Sequence, residues 1–297
     1  EMARRTGDSH SIGYCASFLG ADLSRRDIDL NRGLALLTES REIYAAMGAG
    51  YGEAWVNRYL ALSHQERGEM DEAIRFHTVS LDAFRDAGDP WNIRFSQALL
   101  AEALHTVADL ERSRDLYDDS LRGSADTRYK VVIAHAYKGL GKVSLAQERL
   151  DEATDHLDKA LLELRRIGDV ACLAESKGHL GMVKLGKGDP GEAREDLLKS
   201  LEIFGEIGDK GGVAWALERL AAAAAHGSAD DRAVRLLAAG AAIRDAVGSP
   251  RPPVDQPDYD ELTDTLRLRM GESAFGESLQ AGAALDFEDA VRLGRAE

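Results

Sequence analysis

The stretch VACLAESKGHLGMVKLGKGDPGEAREDLLKSLEIFGEIGD, residues 170–209, decides the fold. Its first half carries Leu173, Leu180, Val183 and Leu185 at helical spacing and predicts a helix over 170–187. Gly188-Asp189-Pro190 breaks that helix, because glycine ends helices and proline is tolerated in a first turn. A second stripe, Ala193, Leu197, Leu201 and Phe204, predicts a helix over 191–207, which Gly208-Asp209 stops.

The same frame runs along most of the chain. A leucine returns every 40 residues, at Leu60, Leu100, Leu140, Leu180 and Leu220. The next residue is always small: Ala61, Ala101, Gly141, Gly181, Ala221. Two further small columns follow, Ala73, Ser113, Ala153, Ala193, Ala233 and then Ser80, Ser120, Ala160, Ser200, Gly240. Helices packed about 8–10 Å apart leave room only for Gly, Ala or Ser where they cross closely. Helix stops recur at Gly48, Gly88, Gly168, Gly208 and Gly248. A period this long, held without drift, marks a repeat array in which each unit packs on its neighbours. The expected fold is all-α: a right-handed superhelical array of antiparallel helix pairs with a repeat of about 40 residues.

The third unit is irregular. Arg128 stands where a stop glycine is expected, Gly123-Ser124 ends the second helix early, and Ala108 replaces the inner-turn glycine. A shortened second helix and a local change of pitch are expected there. Before Gly48 the frame still fits one helix, with Gly33 and Ser40 in the small columns and residues 11–22 as a less regular partner. Domain boundaries are therefore placed at 1–25 for an irregular N-terminal helix, 26–248 for the array, and 249–297 for a proline-rich link and capping helices. The capping helices are expected near 258–270, 272–281 and 287–293.

Composition narrows the function. Charged residues make up 30% and hydrophobic ones 44%, which suits a folded, soluble chain. Lys and Arg total 37 against 52 Asp and Glu, a net charge of −15. Nucleic-acid binding rests on cationic neutralisation of phosphates, so no direct nucleic-acid binding is expected of this segment. The two cysteines, Cys15 and Cys172, give no disulfide framework and no metal-ligand spacing, and a reducing cytoplasm is the expected location. No apolar run approaches membrane-spanning length and no signal peptide is visible, so no membrane partner is expected. The chain opens Glu1-Met2, and a fragment of a longer protein or a tag remnant is expected.

The three small columns resemble the tetratricopeptide repeat, whose usual unit is 34 residues. A second resemblance lies near the C-terminus: Arg232-Ala-Val-Arg-Leu-Leu-Ala-Ala-Gly240, Ile243-Arg-Asp-Ala-Val-Gly248, Pro252-Pro253, Tyr259, Met270-Gly-Glu-Ser-Ala-Phe275 and Phe287-Glu-Asp-Ala-Val291. This run resembles the C-terminal region of large actinobacterial signal-transduction-ATPase transcriptional regulators, which join a nucleotide-binding module and a tetratricopeptide array to a LuxR-type or SARP-type DNA-binding domain. The resemblance implies that this chain is the sensor array of such a regulator.

Enzymatic motifs are weak or absent. Gly139-Leu-Gly-Lys142-Val-Ser144 lacks the P-loop spacing, with Ala136 and Val143 at the positions that need Gly and Ser/Thr. The eight histidines form no ligand pair at i, i+4, and no GxSxG elbow occurs. No catalytic residue, metal ligand or cofactor is assigned, and the chain is read as a non-enzyme.

The first helix of each unit lines the concave face in tetratricopeptide arrays. On it the column five before the leucine holds Trp55, Phe95, His135, Glu175 and Trp215. The column two before it holds Arg58 and Lys138, and the column two after holds Glu102 and Lys142. The candidate ligand-binding residues are therefore Trp55, Arg58, Phe95, Glu102, His135, Lys138, Lys142 and Trp215: aromatic groups around a basic patch of His135, Lys138 and Lys142. Aromatics and Arg often anchor partners, and a local basic patch attracts acidic peptides. For the aromatic groups, packing between repeats stays open beside ligand contact. The last column has no Asn, which argues against the carboxylate clamp of co-chaperones.

The leading expectation is a protein- or peptide-binding sensor of a bacterial transcriptional regulator, whose partner is a peptide, a protein or the ATPase module of the same polypeptide. Two alternatives stand beside it: a stand-alone peptide-pheromone receptor or scaffold, and a small-molecule-binding repeat domain, which a deep closed pocket would favour.

Overall fold

The computed structural model describes residues 8–25, 29–122 and 129–296. Among the described residues there are fifteen α-helices, one short 3-10 turn (Pro253–Asp255) and no strand. The chain forms two compact units, Glu1–Gly123 and Ser124–Glu297. The first holds three consecutive helix pairs: α1 (Ser9–Arg25) with α2 (Leu30–Ala46), α3 (Gly50–Glu66) with α4 (Met70–Asp86), and α5 (Pro90–Thr106) with α6 (Leu110–Leu121). The second holds α7 (Lys130–Ala146) with α8 (Leu150–Ile167), α9 (Val170–Gly186) with α10 (Pro190–Ile207), and α11 (Lys210–His226) with α12 (Asp230–Val247). Three further helices follow in that unit: α13 (Gln256–Met270), α14 (Glu272–Ala283) and α15 (Phe287–Arg295).

The helices begin and end where the sequence signals place them. Asp209 accepts a 2.8 Å hydrogen bond from the Gly212 N–H at the start of α11, and Asp89 accepts from the Trp91 and Asn92 N–H groups at the start of α5. Such caps satisfy donors that the first turn of a helix leaves orphaned. The connections between pairs turn at Gly48, Gly88, Gly168, Gly208 and Gly248, all at positive φ. The turns within pairs need the same left-handed residue every 40 positions. Gly68 and Gly188 supply it without strain, but Ala108 (φ 62°), Glu148 (φ 58°) and Ser228 (φ 60°) are held there too. A side-chain-bearing residue costs about 1–2 kcal/mol in that conformation. Helix α6 is 12 residues long, against 17 in α4 and 18 in α8, as expected for the irregular unit. Gly123, Ser124 and Arg128 lie outside the described residues.

The small columns mark close crossings within pairs. A Cβ on Gly181 of α9 would stand 2.8 Å from Leu197 Cγ and 2.9 Å from the Ala193 carbonyl oxygen of α10. Three serines of the last column, all in the first unit, form a repeated hydrogen bond. Ser40, Ser80 and Ser120 donate to the carbonyls of Gly13, Ala54 and Arg94 in the preceding helix, at 2.7, 2.8 and 3.1 Å. That bond lets a polar side chain sit fully buried between helices without an unmet donor.

Apolar burial holds the pairs together. The periodic Leu60, Leu100, Leu140, Leu180 and Leu220 are all buried, each stabilising by about 1.5–3 kcal/mol. In the second unit the core formed by Leu197, Leu201, Leu217 and Leu237 takes in Leu266 of α13, Phe275 of α14 and Ala290 of α15. The last three helices are thus part of that unit's core. Among the described residues, no helix is long and apolar enough to cross a membrane.

Candidate functional site

In the second unit the first helices of successive pairs touch: α7 lies against α9, and α9 against α11. Helical phase brings one side chain per turn to these seams. Lys138 and Lys142 come from successive turns of α7, and both ammonium groups converge on Glu175 of α9, at 2.6 and 2.9 Å. His179, one turn on, places Nε2 3.8 Å from the same carboxylate. Its ring lies 4.9 Å from that of Trp215 on α11, and the Arg219 guanidinium sits over the indole at 5.3 Å.

Electrostatics fix the charge states here. Burial opposes ionisation of Glu175, but the Lys138 and Lys142 charges outweigh it and hold the carboxyl well below the usual carboxylate range. Burial, reinforced by Lys142, pushes the His179 imidazole down against the pull of Glu175 and keeps the ring neutral near pH 7. The side chains of Lys138, Lys142 and Glu175 are 8%, 9% and 26% exposed. The expected basic patch is therefore an ion-paired cluster bridging two repeats.

His135, at the head of α7, faces the N-cap of α9. Its Nε2 is 3.4 Å from Asp169 Oδ2, and Asp169 Oδ1 accepts a 3.0 Å hydrogen bond from the Cys172 N–H. The His135 hydrogen bond, against the opposing effect of burial, lowers the Asp169 carboxyl. Burial raises the Cys172 thiol to about 12, despite the charge of Lys138.

At the far end of this seam the tail closes over α11. Glu218 is buried between Arg244 (2.9 Å) and Arg251 (2.7 Å), Arg219 pairs with Asp255 at 2.5 Å, and the Arg251 guanidinium stacks 3.4 Å from the Tyr259 ring centroid. Between α9, α11 and α13 this leaves a cavity of about 700 Å³ walled by Met182, Arg219, Asp255, Tyr259 and Arg269.

Trp215 is a packing residue between repeats: a Cβ on Gly178 of α9 would stand 2.3 Å from its ring.

In the first unit, Trp55, Arg58 and Phe95 come together in a different way. Arg58 of α3 is 2% exposed. Its guanidinium lies between three rings, 4.6 Å from the Trp55 and Phe84 centroids and 5.1 Å from that of Phe95. Its Nη2 donates to Asn92 Oδ1 and Ser96 Oγ of α5, both at 2.9 Å. Burial lowers this guanidinium to about 10. A desolvated cation between rings gains about 2 kcal/mol from cation–π contact, so these residues clasp α3, α4 and α5 together. Glu102 accepts a hydrogen bond from the buried Tyr117 hydroxyl of α6 at 2.8 Å. The sequence columns did not reveal a neighbouring cavity of about 460 Å³, walled by Tyr14, Phe18, Tyr44, Tyr51, Trp55 and Tyr59. All of those rings except Trp55 come from outside the columns described above, and only folding of α1 beside α3 collects them.

These consecutive helix pairs, with small residues at every crossing, define a tetratricopeptide-like repeat protein. No protein-family model matches the chain, and no curated protein sequence does. Solved structures share its fold. One is the Rap conjugation gene regulator of plasmid pLS20 in complex with the Phr* peptide, 14% identical, with a TM-score of 0.69 over 94% of this chain and 74% of that one. Another is NprR in complex with its cognate peptide NprX, 15% identical, with a TM-score of 0.67 over 97% of this chain and 87% of that one. A third is a signal-transduction ATPase with numerous domains and a tetratricopeptide repeat sensor from Pyrococcus horikoshii. It is 16% identical, with a TM-score of 0.60 over 99% of this chain and 47% of that one.

Proposed function

We propose that this chain is the sensor array of a bacterial regulator, binding a peptide or protein segment on the seam of its first helices and acting without catalysis. The observation that carries this reading is the Lys138–Glu175–Lys142 cluster. A desolvated ion cluster adds little stability over an apolar packing of the same volume. Here its carboxylate side chain keeps more exposure than either lysine, and the cluster bridges α7 to α9. A peptide N–H or cationic side chain on Glu175 would compete with the lysines. That competition would bias the packing of one repeat on the next, the differential interaction a ligand-driven shift requires.

The fold neighbours support the reading, since two were solved with peptides and the third carries its repeat array as a sensor. The tail's resemblance to actinobacterial signal-transduction ATPases supports an ATPase module of the same polypeptide as the partner of this array, and transcription as the output. The cytoplasm is the compartment that fits.

The test is selection of peptides from a displayed library against the wild-type chain, with affinities compared for Glu175→Gln and for Lys138→Glu plus Lys142→Glu. Selected peptides should lose at least tenfold in affinity in both variants while circular dichroism stays unchanged. Equal affinities in folded variants would move binding off this seam.

The small-molecule alternative is favoured by one observation, the aromatic cavity beside Trp55 in the first unit. Its volume lies within the range of small-ligand sites. Saturable quenching of tryptophan fluorescence by apolar compounds, lost in Tyr59→Ala, would support it.

A further inference from the structure

We infer that His135, Asp169 and Cys172 form a binding site for one zinc-class divalent ion, independent of the peptide reading. Their ligand atoms all lie within 4.8 Å of one another, and the His135 Nε2 to Asp169 Oδ2 separation is 3.4 Å. A four-coordinate ion with bonds of about 2.0–2.3 Å holds its ligand atoms roughly 3.3–3.8 Å apart, so small side-chain adjustments complete the set. All three side chains are partly exposed, which leaves a path for the ion.

The donor types select the metal. Imidazole, carboxylate and thiolate together suit a borderline ion such as Zn2+, whereas Ca2+ and Mg2+ demand oxygen ligands. One thiolate and one carboxylate balance the charge of a dication. Three protein ligands leave a fourth position open to water or to a donor atom from a bound molecule.

The fold positions each ligand. His135 sits in α7, Asp169 caps α9, and Cys172 lies in the first turn of α9. The Cys172 N–H holds Asp169 Oδ1, which turns Oδ2 toward His135. Such outer contacts orient metal ligands. Lys138 Nζ is 3.8 Å from Cys172 Sγ, but its charge is engaged by Glu175 at 2.6 Å. Ligation forms a sulfur–metal bond and releases the thiol proton to solvent, with no oxidant or reductant required.

The spacing of ligands in sequence hides the site. His135 and Cys172 lie in neighbouring repeats, so neither a short His/Cys motif nor an i, i+4 pair marks them.

The experiment is titration of the full, reduced chain with Co2+, read by absorption. One equivalent should produce a thiolate-to-cobalt charge-transfer band and the intense ligand-field bands of a four-coordinate ion, and Zn2+ should bleach both. Cys15→Ser should keep the spectrum. Cys172→Ser should lose the charge-transfer band, and His135→Ala should weaken Co2+ binding at least tenfold. If circular dichroism shows either variant unfolded, Asp169→Asn serves in its place. Asn still caps the helix but offers no anionic ligand, and it should weaken binding likewise. No four-coordinate spectrum, a band that disappears with Cys15, or an undiminished spectrum in folded Cys172→Ser or Asp169→Asn would overturn the proposal.

Discussion

The six-membered ring of Trp215 lies on the bare backbone of Gly178, where a Cβ would stand 2.3 Å from Cζ3 and 2.6 Å from Cη2. The contact joins α11 to α9. Gly178→Ala must therefore eject the indole or part the two helices, and overpacking of this kind costs about 1–3 kcal/mol. Urea unfolding of the variant should show that loss, with a shift in tryptophan emission. Unchanged stability would mean the seam is looser than described.

Arg58 should act more through its volume than through its charge, because burying the guanidinium offsets what its ring contacts return. Arg58→Ala opens a hole between Trp55, Phe84 and Phe95 and should destabilise by about 3 kcal/mol. Arg58→Met fills much of that space without a buried charge and should lose clearly less. Thermal melts of the two variants decide the point: equal losses would show that the cation itself holds the rings.

The left-handed turns predict stabilising changes. Ala108→Gly and Glu148→Gly relieve a side chain at φ near 60° and should each stabilise by about 1 kcal/mol. Gly68→Ala at the matching position should lose a similar amount. Chemical denaturation of the three variants tests the pattern, and a destabilised Ala108→Gly would refute it.

His77 predicts an acid slope. It is 1% exposed, and burial, with the Arg58 charge beside it, pushes its pKa down to about 3. An unfolded histidine takes its proton near pH 6.5. Between those values the unfolded chain binds more protons, so acid favours unfolding. The stability that neutral His77 contributes is complete above about pH 6.5 and falls as pH drops toward 3, by up to about 1.4 kcal/mol per pH unit. His77→Met should flatten the dependence of urea midpoints between pH 7 and pH 4. A parallel curve for the variant would remove His77 as the cause.

The fold was legible because its signals are local and recur. Gly208-Asp209 and Gly188-Asp189-Pro190 mark turns wherever they stand, and the leucine and small columns report burial and close crossing. The helices α9, α10, α13, α14 and α15 fall within a few residues of their sequence-based bounds. The site was less legible because its partners lie a whole repeat apart. Lys138 and Glu175 were both assigned to the inner face, but a column does not say which charges meet across the seam. Trp55 and Phe95 were likewise placed on that face. Arg58 stands on that face too, but the third ring around its guanidinium, Phe84 of α4, lies outside the columns.

The turns at Ala108, Glu148 and Ser228 carry one more consequence. Three unrelated side chains occupy a conformation that glycine takes freely at Gly68 and Gly188, yet the backbone path is the same in all five. In a chain whose units answer only to their neighbours, a poor turn is a local blemish and not a global fault. Each turn can therefore wander in sequence on its own, and the letters of such a lineage fade long before its geometry does.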